Sequence, residues 1–464
     1  MRILLVWPNS RNEILGWGDL GAVAEPLSLE YLGAALETEN HDVRILDLRL
    51  HADQLVTVLS EFRPHLVGIT AFTMHVTRAL QIASQVKAID PSIATIVGGQ
   101  HATFRPQDFF VDQMDFVVSG DGISLINEVV DSVVAGRSPQ ERPGLYFRSA
   151  DTGTFVGSGR STYTEPEFRD IIQPNRSLTK SDRHRYFIDD MKPVALMRTS
   201  VGCPYRCTFC SIWKAMDGRY FTQDAENVLA ELRTIKEHDI FLVDDEAFIN
   251  ERRMLTLAET IAKSGIRKNY FTYCRIDTLL KNRAAIEAWR DIGLTRLFVG
   301  IDAISIKDLD EYHKKCEISQ IEAGIELARD MGIEIFAQFV VNTDYAKGDF
   351  KTLVRFIEHH GIDYPSFTVL TPLPGTPLLQ DGVVTRRQAN GMPNWDLFDC
   401  QNAVTETRLS PEEFRREYRS LYKVFKGAYT QYREHNHIVH ELSAEEALRT
   451  GHPTSAMRTE ISIV

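Results

Sequence analysis

The sequence predicts an α/β protein with an N-terminal doubly wound Rossmann-like domain, a partial (β/α)6 barrel and a C-terminal helical cap. Three observations carry this reading. Short β-rich runs alternate with amphipathic stretches from the first residues; the alternation stops at a polar stretch rich in Gly, Ser and Thr; and it resumes with six further β-rich runs. At 464 residues the chain is also long for one domain, given roughly 100–200 residues per domain. The boundaries that follow are 1–142 for the Rossmann-like domain, 143–192 for a linker, 193–380 for the barrel and 381–464 for the helical region.

In chain order, RILLVWPN, DVRILDL, HLVGITAF, ATIVGG and DFVVSG read as strands, with PLSLEYLGAALETEN, LHADQLVTVLSEF and VTRALQIASQVKAI as the helical segments between them. A parallel sheet of this kind opens a ligand crevice at its carboxyl edge, where Pro8, Asn9, Thr70, Gly98, Gly99, Gln100, His101, Ser119, Gly120 and Asp121 fall. GGQH allows close backbone approach to a ligand but is not a GxGxxG fingerprint. SADTGTFVGSG in the linker reads as a hairpin tip. The barrel strands are PVALMRTSVG, IFLVDD, YFTYCRID, TRLFVGID, EIFAQFVV and YPSFTVLTPLPG, and catalytic groups are expected at their carboxyl ends. Ser410, Pro411 and Glu412 mark a helix start in the C-terminal region.

A net charge of −12 without clustered Lys and Arg argues against a nucleic-acid partner and weakly suits a cationic substrate. No apolar run approaches the ~18 residues that span a bilayer. Six cysteines, three of them scattered singly as Cys274, Cys316 and Cys400, make no disulfide framework, and no signal sequence opens the chain. A reduced, cytoplasmic protein is expected.

The other three cysteines, Cys203, Cys207 and Cys210, form CPYRCTFC directly after the first barrel strand. Three thiolates hold three irons of a cubane cluster and leave the fourth iron free to chelate a small molecule. A ferredoxin run would be CxxCxxCxxxC, and a structural zinc site would need a fourth Cys or a His. Neither pattern is present. VDDEAF places Asp244, Asp245 and Glu246 at a strand end; a carboxyl shielded from water there would have its pKa raised towards neutrality, as a proton carrier requires. A solvated helix-start charge cluster is the plain alternative.

The CxxxCxxC motif, with aromatic Phe209 before its last cysteine, resembles the radical S-adenosylmethionine superfamily. Further segments, EPLSLEYLGAAL, GGQHATF, VDDEAFIN, CRIDTLL, LFVGIDAIS, LTPLPGTPL and WDLFD with LSPEEF, are similar to the subgroup with an N-terminal cobalamin-binding domain, and together they cover nearly the whole chain. The resemblance implies a 4Fe-4S cluster on Cys203, Cys207 and Cys210, S-adenosylmethionine on its free iron, reductive cleavage to a 5′-deoxyadenosyl radical, and an electron donor such as flavodoxin. It also implies that Phe209, Arg275, Asp302 and Gln338 lie at the S-adenosylmethionine site. Two departures stand out: the family usually carries Glu at the position of Asp302, and a Gly-Pro turn where this chain has VVNTDYAKG. The DxHxxG string that places a histidine beneath cobalt is missing, and His101 lacks its spacing, so the sequence leaves cobalamin binding open.

Three functions are weighed. The first is a diol dehydration of an aminosugar, similar to the aminoglycoside-biosynthesis dehydratase that removes a sugar 3′-hydroxyl from paromamine together with a separate reductase; Glu246 and then Asp245 would carry the protons. The acidic surface and clustered acids put it narrowly first. The alternatives are a cobalamin-dependent C-methyltransferase and a non-catalytic iron–sulfur sensor or scaffold.

Overall fold

The computed structural model describes residues 1–9 and 22–425. Within them the protein is two α/β units in series, as the alternation predicts.

In the first unit, β1 (Arg2–Trp7), β2 (Asp42–Asp47), β3 (Leu66–Thr70), β4 (Ala94–Gly98) and β5 (Phe116–Val118) form a parallel sheet in the order β2-β1-β3-β4-β5. Helices cover both faces, so strands such as β1 and β4 read as nearly unbroken apolar runs. The order reverses beside β1, which opens a crevice at the carboxyl edge.

The stretch read as a linker is in large part structured. β6 (Leu145–Arg148) pairs antiparallel with β5, and β7 (Phe155–Gly157) pairs with β6, extending the same sheet. The hairpin tip does fall where SADTGTFVGSG places it. Such pairing needs only strands short enough to hide in a polar stretch.

In the second unit, β8 (Val194–Met197), β9 (Asp239–Leu242), β10 (Asn269–Arg275), β11 (Leu294–Asp302), β12 (Glu334–Val341) and β13 (Tyr364–Val369) pair in chain order, all parallel, and the sheet stays open between β8 and β13. This is the partial (β/α)6 barrel. Leu196, Phe241, Phe271, Phe298 and Phe336 pack together, joined by Leu27 and Tyr31 from the helix Leu27–Glu37 of the first unit. Phe241 stacks on Phe271 and Phe336 on Tyr364, each pair at 4.7 Å between centroids. Aromatic side chains thus fill the barrel and leave ligand space to its carboxyl rim.

The C-terminal region is less helical than expected. Residues 381–409 run irregularly and bury Val384, Trp395, Phe398 and Val404 in the core of the first unit, and one helix, Pro411–Val424, follows with the Ser410 hydroxyl accepting the Glu413 amide. The rest of the expected cap lies outside the described residues. No helix among the described residues is long and apolar enough to cross a membrane.

Candidate functional site

The cysteine loop leaves β8 at the barrel's carboxyl rim and is gripped by the turn after β9. Asp244 accepts from the Thr199 and Ser200 amides at 2.6 and 2.8 Å and from the Thr199 hydroxyl at 2.5 Å. Asp245 accepts from the Gly202 amide at 2.7 Å. Gly202 has φ +86°, and a Cβ there would lie 2.1 Å from the Arg219 carbonyl oxygen, so only glycine admits the chain into the loop. The two aspartates are therefore spent largely on shaping the loop. Burial still pushes Asp245 up to about 6.

Further bonds fix the loop around the thiols. The Cys207 carbonyl accepts from Trp213 Nε1 at 3.0 Å, the Thr208 amide donates to the Tyr312 carbonyl at 3.1 Å, and Phe209 packs edge-on against Tyr312 at 5.4 Å. Phe209 is thus a packing residue of the loop. Arg275, at the end of β10, lies 3.9 Å over the Tyr205 ring, donates to the Lys314 carbonyl at 2.6 Å and to Asp277 at 2.9 Å, and brings Nη1 to 3.5 Å from Cys207 Sγ. Where the resemblance implies a contact with S-adenosylmethionine, the guanidinium is engaged with a cluster-loop sulfur; such second-layer bonds orient ligands and tune a cluster.

The three thiols fit a cluster. They lie near enough to act electrostatically on one another, and burial pushes Cys203 and Cys210 up to about 12, so they hold protons until iron displaces them. Among the described residues no three His, Cys, Asp or Glu side chains converge as ligands of a single ion would.

Glu246 is buried beside this loop. One oxygen accepts the Arg275 amide at 2.7 Å, the other has no hydrogen bond, and burial pushes the carboxyl up to about 7, as the sequence suggests for a shielded acid. Asp302 sits at a bulge in β11 with φ +66° and pairs with Lys314 in a buried ion pair. Gln338 donates to Thr368 at 2.8 Å, and its buried carbonyl oxygen carries no hydrogen bond, leaving one acceptor for a ligand. Lys314 escaped the sequence reading because HKKCEIS has no periodicity to mark which lysine turns inward.

The crevice of the first unit holds a cavity of about 330 Å³. Leu5, Ile96 and Val118 line its floor, and Gly99, Gly120 and Asp121 stand at its edge. The volume is at the lower end of what encloses a drug-sized ligand. Glycine backbone makes that room. A Cβ on Gly99, at φ +103°, would lie 2.8 Å from the Ala71 amide nitrogen and carbonyl oxygen. Gly99→Ala is expected to cost about 1–3 kcal/mol of stability through this strain and to weaken corrinoid binding, measured by urea denaturation and by absorbance titration. His101 cannot reach a cobalt, since it is wholly buried, with Nε2 3.0 Å from Asp108, Nδ1 3.2 Å from Thr73 and its ring against Trp395. The crevice also touches the cluster loop, because Gln100 donates to Ser211 at 2.9 Å, one residue past Cys210.

Residues 17–130 match the B12 binding domain and residues 197–357 the Radical SAM superfamily. Over 402 residues the chain is 30% identical to a hopanoid C-3 methylase of Methylococcus capsulatus, covering 84% of this chain and 74% of that one. It is 26% identical over 397 residues to an anaerobic magnesium-protoporphyrin IX monomethyl ester cyclase of Rubrivivax gelatinosus, covering 82% and 70%. Several further relatives are named methyltransferases. In fold it is similar to the radical S-adenosylmethionine methyltransferase TsrM of Kitasatospora setae, at TM-score 0.66 and 17% identity over 90% of this chain and 88% of that one.

Proposed function

The chain belongs to the radical S-adenosylmethionine enzymes that carry an N-terminal B12-binding domain, and from that premise we propose that it is a cobalamin-dependent C-methyltransferase acting on a small molecule. The single observation that carries the reading is the likeness to the hopanoid C-3 methylase across both units. The glycine-edged cavity beside the cysteine loop supports it. This reverses the order in which dehydration came first: relatives named for methyl transfer outweigh an acidic surface, which solvation alone explains.

When bound, the cluster with S-adenosylmethionine supplies a 5′-deoxyadenosyl radical and the corrinoid supplies a methyl group. The chain's own part is placement and exclusion of water. Cys203, Cys207 and Cys210 would hold three irons. Arg275 would hold Cys207 in place. The free acceptor of Gln338 would face the S-adenosylmethionine, while Asp302 would act on the site only through Lys314. The aromatic filling of the barrel closes its interior below the rim.

Dehydration stays as a second reading because of one observation: Glu246 is buried at the rim with an unbonded oxygen and a pKa about 7. Methyl transfer to a carbon radical needs no proton carrier, whereas loss of a hydroxyl does. Both readings are tested by giving the reduced, reconstituted protein S-adenosylmethionine labelled on its methyl group, with hopanoid and aminosugar candidates. The expected product carries the label, with S-adenosylhomocysteine and 5′-deoxyadenosine released together. An unlabelled product lighter by one water, made less by Glu246→Gln, would establish dehydration instead.

A further inference from the structure

The outer side of the cysteine loop is basic in a chain whose net charge is −12. Beyond Cys210 the chain enters the short helix Ile212–Ala215. One side of this segment is turned to the crevice: Ser211 takes the bond from Gln100, and Ala215 and Met216 line the cavity. Helical spacing turns the residues between them outward, so Ile212 is 37% exposed and Lys214 is exposed beside it. Trp213 is half-buried, held by its bond to the Cys207 carbonyl, and two cations stand over its ring. Lys214 Nζ lies 4.6 Å from the ring centre and the guanidinium carbon of the exposed Arg206 lies 5.8 Å from it.

Among the described residues neither the Arg206 nor the Lys214 side chain has an ion pair or a hydrogen bond. The ring contacts hold them only weakly, as they do any exposed cation. Other charges nearby are matched: Asp217 pairs with Arg160 at 2.6 Å and lies 3.6 Å from Arg219. On the Thr208 side the helix Ile306–Glu311 comes close, with the Thr208 hydroxyl donating to the Glu311 carbonyl at 3.0 Å, and its exposed acids Asp310 and Glu311 bound the patch. What remains is a small apolar centre, Ile212 and Trp213, flanked by two unpaired cations. Brief electron-transfer encounters are made this way: they bury little area and use charge to gain speed and orientation. The chemistry calls for such a visitor, because reductive cleavage of S-adenosylmethionine consumes an electron that no residue of the chain supplies. The Trp213 ring alone separates this surface from the Cys207 backbone.

We infer that Arg206 and Lys214, astride Ile212 and Trp213, form the docking surface for an acidic one-electron carrier protein. On docking, the carrier is oxidised by one electron and the cluster is reduced by one; no bond between heavy atoms is made or broken. The inference rests on the reading that Cys203, Cys207 and Cys210 hold the cluster. The same electron is needed whether the product is methylated or dehydrated, so it stands apart from that choice.

The probe is oxidised bacterial flavodoxin, an acidic one-electron carrier, titrated by calorimetry into the full chain with its cluster reconstituted. Wild type is expected to bind it at low salt and to lose at least ~10-fold in affinity at high salt, as contacts between exposed charges do. Arg206→Gln combined with Lys214→Gln is expected to lose a similar factor at low salt and most of the salt dependence. Arg206→Glu with Lys214→Glu should lose more, and both double variants should keep the iron content and the dithionite-reduced spectrum of wild type. No binding by wild type, binding that salt leaves unchanged, or wild-type affinity in the Glu variant overturns the inference. So does a variant reduced more slowly by dithionite and by flavodoxin alike, which would place the effect in the cluster. Where the variants take up no cluster, acetylation of wild-type lysines decides: bound flavodoxin should shield Lys214 but not Lys263, whose side chain is 73% exposed on the helix Glu251–Ser264. Lys214 acetylated equally fast with and without flavodoxin overturns the inference. Failure here, with labelled methyl still reaching product under dithionite, would leave the methyltransferase reading standing. Docking as expected, with an unlabelled dehydrated product, would do the reverse.

Discussion

Alanine in place of Cys203, Cys207 or Cys210 is expected to abolish the cluster and with it the formation of 5′-deoxyadenosine. Each thiol is assigned its own iron, so no neighbour can stand in for a lost one, and a cluster short of a ligand is exposed at one corner to water and oxygen. The surrounding loop would persist, because its shape comes from Asp244, Asp245, Trp213 and Tyr312 and from none of the thiols. Each variant should therefore remain folded while losing iron, sulfide and the spectrum of the reduced cluster after anaerobic reconstitution. Wild-type turnover in any one of them would remove that residue from the ligand set. Cys274, whose thiol lies 3.3 Å from the Arg275 carbonyl, and the half-buried Cys400 serve as controls. Their replacement should leave iron content unchanged.

Features that depend on local pattern were legible in the sequence. All six barrel strands lie where β-rich runs alternate with helical periods, and the cysteine spacing marks the loop before any contact is known. Features made by side chains far apart in the chain were not. Asp302 and Lys314 are close in sequence, but their pairing depends on a bulge in β11 that no residue pattern announces. Arg198 is one of several arginines near the cysteine motif, and only the fold shows that Tyr31, Tyr163 and Phe168 pack around its guanidinium. The protein contacts of the motif residues were equally out of sight: that Arg275 reaches the Cys207 sulfur and Phe209 packs on Tyr312 follows from the fold and not from the motif. The stretch 143–192 was the plainest omission, since polar composition hid residues that join the two units.

Those joining residues carry the second large effect. Arg176 and Arg183 reach from this stretch into a buried set of acids. Arg183 pairs with Glu25, which precedes the helix Leu27–Glu37, and with Glu237 of the barrel unit. Arg176 donates at 2.7 Å to Glu231 and at 2.6 Å to the Leu196 carbonyl of β8, and the Leu196 amide donates back to Glu25. Glu25, Glu30 and Glu231 have almost no exposure. Arg183→Met would leave two of these carboxylates without their closest cation, and breaking one partner out of a buried pair costs about 3–5 kcal/mol. The expected result is a lower urea midpoint at unchanged slope, with Glu25→Gln added to Arg183→Met recovering part of the loss as a coupled pair should. A midpoint within experimental error of wild type would show that the clasp holds nothing together. Glu30, hydrogen-bonded by the Thr179 hydroxyl, adds a pH dependence of definite sign. Burial, then the charge of Glu25, holds its pKa well above the ordinary carboxylate range, so the folded protein binds that proton more tightly than the unfolded chain. The stabilisation is fully present below the unfolded pKa and is lost as pH rises through the folded one. Glu30→Gln keeps the acceptor for Thr179 but cannot ionise, and its midpoint should fall less than that of wild type as the pH is raised. Parallel curves for the two proteins would place the proton elsewhere in the set.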